Sequence, residues 1–181
     1  MEIRILTADD ASAFSSLRLA ALEREATAFS SSAEEHRTLS LDEVRTRLAP
    51  DPENSFVVGA FDGKQLVGTA GFYREKGLKT RHKGRGWGVY VTPGERGKGV
   101  GRGILQMLLE RAALIGAEQI GLSVTTTQTA AIALYRSLGF ESWGCEPKAL
   151  KIGDRYMTRS TWFVTSMVLY VDRLRTVKRH S

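Results

Sequence analysis

The segment TPGERGKGVGRG, residues 92 to 103, constrains this chain more than any other. It carries five glycines in twelve positions, follows the apolar run GWGVYV (86 to 91) and leads straight into ILQMLLERAAL (104 to 114). That order predicts a strand, a glycine-rich turn and a helix. The first turn of a helix has backbone N–H groups without intrahelical partners and the positive end of the dipole, so such a junction favours an anion, phosphate above all.

Three glycine-rich phosphate templates compete for this loop. The nucleotide-triphosphate loop needs Gly-Lys followed by Ser or Thr, so that a hydroxyl reaches magnesium; here Gly97-Lys98 is followed by Gly99, and the template fails. The dinucleotide fingerprint G-x-G-x-x-G places Arg102 or Ile104 where its last glycine belongs, and no acid ends the next strand, LSVTTT, to hold a ribose. The pattern Gln/Arg-x-x-Gly-x-Gly/Ala is met by Arg96-Gly97-Lys98-Gly99-Val100-Gly101. Its logic is a pyrophosphate laid on consecutive backbone N–H groups without a metal. Taken alone, the hexapeptide fits an ordinary flexible turn equally well.

The rest of the chain sets the context. Residues 2 to 6 read as a short strand, and Thr7 opens TADD, a helix start of the Ser/Thr-x-x-acid type. A stretch with Phe14, Leu17, Leu19, Leu22 and Phe29 loosely at helical period follows, and residues 26 to 39 are polar and irregular. Ser40 and Glu43 start a second helix with Leu41, Val44 and Leu48 on one face, closed by Pro50 and Pro52. Two apolar runs flank Asp62-Gly63, a hairpin signal because that turn needs positive φ. GWGVYV reads as a buried strand, and Ile104, Leu105, Leu108, Leu109, Ala112 and Ile115 form one apolar helix face that stops at Gly116. A strand IGLSV, a short helix TAAIALYRSL ending at Gly139, and two final strands complete the order. Antiparallel strands come first and helical crossovers later, which argues a mixed sheet with helices packed on it.

The pieces VTPGERGKGVG (91 to 101), LSV (122 to 124) and AIALYRSLGF (131 to 140), in that order and spacing, closely resemble the GNAT superfamily of acyl-CoA-dependent N-acyltransferases across Val89 to Phe140. The resemblance implies an α/β fold of α+β type: a mixed, mostly antiparallel sheet of about seven strands with helices on both faces, in one domain spanning 1–181. It implies a strand that splays from its neighbour, with Val89 and Val91 as main-chain partners of the pantetheine arm of acetyl-CoA. The pyrophosphate falls on Arg96, Gly97, Lys98, Gly99, Val100 and Gly101, with Arg102 near the helix start. Gln128 stands where the family often has an asparagine that bonds the cofactor, a departure that adds a methylene. Tyr135 matches the tyrosine placed beside the thioester sulfur, where a phenol protonates the departing thiolate.

The resemblance also implies transfer of the acetyl group to a primary amine of a small molecule or peptide by direct attack in a ternary complex. Protein lysine or N-terminal acetylation, and a non-catalytic acyl-CoA sensor, are the alternatives. A base must take the amine proton, and many relatives carry a carboxylate for this on the strand before the loop. GWGVYV has none, which leaves Glu34, Glu35, His36, Tyr90, His82 or water. In this family the acceptor is chosen by the segments AFSSSAEEH, KGLKTRHKGR and ALKIGDRYMTRSTWF; the first is acidic, the others basic.

Composition excludes several classes. One cysteine, Cys145, rules out an intrachain disulfide and a cysteine-based zinc site, and no metal is expected. No apolar run is long enough to span a bilayer. MEIRILTADD lacks the features of a signal peptide, so a cytoplasmic location is expected. The net charge is +6, and residues 74 to 85 hold six Lys or Arg with one Glu, but no aromatics interleave there. No nucleic-acid partner is therefore expected. The apolar run WFVTSMVLYV fits a homodimer edge or a buried strand equally.

Overall fold

The computed structural model describes residues 1–49, 51 and 53–165. The elements are β1 (Glu2–Ile5), α1 (Ala11–Arg24), α2 (Ala33–Arg37), α3 (Leu41–Leu48), β2 (Ser55–Asp62), β3 (Gln65–Arg74), β4 (Lys83–Val91), α4 (Val100–Leu114), β5 (Gln119–Thr125), α5 (Thr129–Ser137), β6 (Glu141–Ile152) and β7 (Arg155–Val164). The strands form one seven-stranded sheet in the order β1-β2-β3-β4-β5-β7-β6. Every neighbouring pair is antiparallel except β4 with β5. This is the mixed architecture that the order of elements predicts.

Helices cover both faces. Phe56, Val58, Ala70 and Phe72 pack on the α4 face made by Ile104, Leu105, Leu108 and Leu109. On the other side, Val57, Phe61 and Leu66 meet Phe14, Leu17 and Ala21 of α1 and Val44 and Leu48 of α3. Burial on both faces explains why β2 and β3 read as continuous apolar runs rather than alternating ones.

Local signals differ from the sequence expectation in four places. Asp62 pairs with Gln65, so the hairpin turn is Gly63-Lys64, one residue later than expected, with Gly63 at φ +57°. The stretch expected to be irregular contains α2, started by a Ser32–Glu35 capping box of the same kind as Ser40–Glu43. Leu41 sits in the first turn of α3 and is 40% exposed; only Val44 and Leu48 of that helix are buried. Helix α4 opens at Val100, ahead of Arg102, with Gly99 at its N-cap. Pro50 and Pro52 lie outside the described residues.

The final apolar run enters β7 only as far as Val164; Thr165 is outside the strand and the rest lies outside the described residues. That described part runs between β5 and β6, so it is an interior strand and not an edge. The edge on that side is β6, whose residues 141–148 are exposed; the other edge is β1. Among the described residues no helix is long and apolar enough to cross a membrane.

Strand β4 departs most from expectation. Thr69 pairs with Tyr90 and Gly71 with Trp87, so β4 carries one residue more than β3 across the same interval. That bulge includes Gly88 at φ +63°, a conformation glycine adopts without strain. A bulge bends its strand and increases local twist. On the other side, β4 pairs with β5 only through Lys83↔Gln119, Gly84↔Ile120 and Arg85↔Gly121. Past Arg85 the two parallel strands part. Of residues 86 to 91 only Tyr90 is buried, because the strand that would cover the others has turned away.

The bulge is held by tight packing across β3. A Cβ at Gly71 would stand 2.1 Å from Trp87 Cε2, inside the indole. Gly71→Ala is expected to destabilise the fold by about 1–3 kcal/mol, as overpacking does. Gly94→Ala, with nothing within 4 Å of its Cβ position, is expected to stay within about 0.5 kcal/mol of the parent. Urea unfolding of both variants checks this, and equal midpoints would contradict it.

Candidate active site

The parting of β4 from β5 opens a cleft of about 450 Å³ between the end of β4, the glycine loop, the start of α4 and α5. Val89, Val91, Arg96, Gly97, Gly99, Val100, Gly101, Arg102 and Gln128 all line it. Lys98 and Tyr135 are not among its lining residues.

The backbone faces this cleft for a definable reason. Thr92 N–H donates to Val67 O at 2.9 Å, so Thr92 bonds toward β3. Alternation in an antiparallel pair then turns the N–H and C=O of Val91 the other way, into the gap. The glycines divide the remaining work. Gly97 and Gly99 have φ of +77° and +84° with nothing within 4 Å of their Cβ positions, so glycine is needed there for backbone conformation. At Gly101 a Cβ would meet Leu134 Cδ2 at 3.2 Å, so glycine lets the first turn of α4 approach α5. Gly103 packs the same helix elsewhere: its Cβ would meet Ile3 Cδ1 at 2.5 Å.

The loop cations are already engaged. Arg96 donates from Nε to Val91 O at 2.9 Å, pairs with Glu25 at 2.9 Å and lies over the Tyr90 ring at 5.7 Å. Lys98 pairs with Glu95 at 2.9 Å, and Arg102 donates to Ser137 Oγ at 2.8 Å. Arg96 therefore ties the loop to the C-terminal end of α1. Glu25, which lines the cleft, carries no sequence signal, since its partner stands 71 residues away.

Tyr135 is 5% exposed, and its ring packs against Phe140 with centroids 5.8 Å apart. Burial pushes its phenol above the ordinary range, so the group stays protonated at neutral pH. Helix α5 reaches the cleft itself through Ala130, Ala131 and Leu134.

A second cleft, about 940 Å³, lies on the other side of the bulge. It meets the first at the Gly88–Val89 step, and the two share Ala28 and Phe29. Each of the three segments expected to select the acceptor contributes to it: Ser30 and Ser31 from the first, Lys76, Thr80 and Arg85 from the second, Arg159 from the third. The acidic pair does not. Glu34 is exposed, Glu35 accepts a hydrogen bond from Ser32 N–H at 2.7 Å, and neither lines either cleft. His82 lines neither cleft, whereas Tyr90 lines the first. Sequence reasoning passed over Arg18 and Gly88, which also line the second cleft. Their signals are an arginine on the apolar face of an amphipathic helix and a glycine inside a strand.

The model of the acetyltransferase (GNAT) family matches residues 18–140, and the chain belongs to that family. It is 36% identical over 88 residues to an L-methionine sulfoximine/L-methionine sulfone acetyltransferase of Pseudomonas aeruginosa, covering 48% of each chain. It is 36% identical over 110 residues to the N-alpha-acetyltransferase RimI of Mycobacterium tuberculosis, covering 60% of this chain and 66% of that one. The chain thus spans less than two thirds of the length of either relative. In fold it is similar to yncA from Salmonella typhimurium, solved with its cofactor acetyl-CoA, with a TM-score of 0.78, 23% identity, and coverage of 91% of this chain and 93% of that one.

His36, a candidate base by sequence, ties α2 to α1: its Nε2 lies 3.1 Å from Ser15 O and 3.2 Å from Ser15 Oγ. Burial lowers its pKa, Ser15 opposes this, and Arg18 and Arg47 add to the lowering. The unfolded chain therefore binds the proton more readily. The stability this group contributes is present above about pH 6.5 and is lost as pH falls through the lower folded value. His36→Gln is expected to show a smaller drop in Tm between pH 7.5 and pH 5.5 than the parent (~two pH units spanning the histidine range). Equal drops in a thermal melt would refute this role.

Proposed function

We propose that this protein is an N-acetyltransferase that moves the acetyl group of acetyl-CoA to a primary amine of a small molecule or peptide by direct attack in a ternary complex. The observation that carries this reading is the parting of β4 and β5 beyond the Arg85↔Gly121 pair, with a glycine cradle at its mouth. The residues fit the group. Val89 and Val91 lie on the strand edge that β5 leaves unpaired and face the amides of the pantetheine arm, although Val91 O already accepts from Arg96 Nε. The N–H groups from Gly97 to Gly101 and the start of α4 hold the pyrophosphate, with Gln128 alongside. The activities named for the two bacterial relatives, and the cofactor of the Salmonella structure, support the same reading.

The bound thioester supplies an activated acyl carbon. The acceptor nitrogen forms the new N–C bond as the C–S bond breaks. A main-chain N–H of the parted β4 edge, between the Gly88–Val89 step and Val91, donates to the acyl oxygen as negative charge develops there. By the family resemblance Tyr135, which burial keeps protonated and which lies behind the cleft-lining Ala131 and Leu134 on α5, gives its proton to the departing thiolate. The amine proton leaves through water in the open acceptor cleft, since Glu34, Glu35 and His36 do not line it.

Calorimetry with acetyl-CoA, NAD and ATP is expected to show binding of acetyl-CoA alone; binding of NAD without acetyl-CoA would overturn the proposal. In a thiol-release assay across an amine panel, Tyr135→Phe is expected to lower kcat by about 100-fold, with little change in KM for acetyl-CoA. Unchanged turnover at every pH would remove Tyr135 from the mechanism. The same panel includes peptide N-termini, so it separates a RimI-like acceptor from a small amine, and absence of turnover with every amine would favour a sensor.

A further inference from the structure

The second cleft holds an unmet charge. Arg18 is 8% exposed, and its Nη1 has no hydrogen-bond partner. Its guanidinium lies over Phe29 at 4.6 Å and over Trp87 at 5.9 Å. Both rings line the same cleft. Two aromatic faces offset only part of the cost of removing a guanidinium from water. Burial lowers the Arg18 pKa to about 10, which still leaves it charged at neutral pH.

Each of the other arginines facing this cleft has an acid or carbonyl partner on at least one nitrogen, although Arg74 Nε and Arg159 Nε, like Arg18 Nη1, have no hydrogen-bond partner. Arg85 pairs with Glu75 at 3.4 Å. Arg159 pairs with Glu146 at 3.1 Å and donates to Ser30 Oγ at 2.9 Å. Arg74 donates to the backbone carbonyls of Arg81 and Ile115. Lys76 is exposed to solvent. Glu75 is the one carboxylate among the residues that line the cleft, and it already has Arg85. A guanidinium buried without an anion is a poor arrangement for stability alone, and a planar fork is suited to a carboxylate.

Position narrows the ligand. A Cβ at Gly88 would stand 3.4 Å from Arg18 Nη1, so the guanidinium lies against the bulge. The next residue, Val89, lines the acetyl-CoA cleft. An oxyanion on Arg18 is therefore held beside the junction of the two clefts, and the reacting amine must sit close to that oxyanion. In an α-amino acid one carbon separates the two groups; in a lysine side chain the ε-amine is far from any carboxylate.

We propose that Arg18 binds the carboxylate of a free α-amino acid and so presents its α-amine to the acyl group at the Gly88–Val89 step. This rests on the N-acetyltransferase reading and names its acceptor class. The cationic lining adds a second effect. Neighbouring positive charge disfavours the ammonium form, which helps the acceptor reach its nucleophilic state and discriminates against polyamines.

The test uses the full chain with acetyl-CoA and a thiol-release readout. Acceptors are the L-amino acids, the matching L-amino acid amides, putrescine and peptides with free N-termini. The acids are expected to exceed their amides in kcat/KM by about tenfold or more, because the amide leaves Arg18 without an anion. Arg18→Met is expected to bring that ratio close to one, chiefly through KM for the acid, and Arg18→Lys to give an intermediate ratio. The acetyl-CoA Kd is measured on each variant as a check on folding. Amides or putrescine accepted as well as the acids, peptides preferred, or an Arg18→Met ratio equal to the parent's would each overturn the proposal. Should Arg18→Met not fold, the acid-to-amide ratio of the parent still decides. Absence of acetyl-CoA binding would instead overturn the N-acetyltransferase reading itself.

Discussion

One extra residue in β4 governs the architecture of the site. Between Tyr90 and Trp87 the strand carries a bulge with Gly88 at positive φ, and beyond Arg85 it no longer pairs with β5. A continuous ladder there would satisfy every main-chain group internally and leave no room between the strands. The bend instead directs the Val91 amide into a gap and separates two clefts that meet at the bulge. The tight fit of Trp87 over Gly71 holds this distortion in place.

The gap is possible because the sheet on either side is secured. Phe56, Phe72 and the α4 leucines bury one face, and α1 with α3 buries the other. On the far side, β5 is paired along its length by β7, from Ile120↔Val164 to Thr125↔Arg159. A strand that loses one neighbour past Arg85 thus keeps the other, and the unpaired edge faces an occupiable cleft rather than opening the fold.

Charge is distributed unevenly between the two clefts. At the glycine loop, Arg96, Lys98 and Arg102 are drawn to Glu25, Glu95 and Ser137, so in the proposed reading the pyrophosphate falls to backbone donors. In the other cleft Arg85 and Arg159 have acids, and Arg18 has aromatic rings in their place. The loop cations with their partners and Arg18 with its rings all lie within residues 18–140, the span that the GNAT family model matches, and Arg18 is carried by α1.

The glycine cradle was legible in the residues because the motif is local: a positive φ at Gly97 and Gly99 and a helix start at Val100 are set by a few consecutive positions. Strand and helix order followed from hydrophobic period and capping pairs, and the short α2 was missed because one and a half turns give too little periodicity to read. By itself, then, the sequence determined the order of the strands and longer helices and the glycine-rich strand–helix junction. Tertiary structure decided which side chains line the two clefts. It moved Glu34, Glu35 and His36 away from the clefts, tied Arg96 to a glutamate 71 residues distant and brought Arg18 to the bulge. The physical reason is that such contacts depend on how α1 packs over β4, a relation between distant segments that no local pattern encodes.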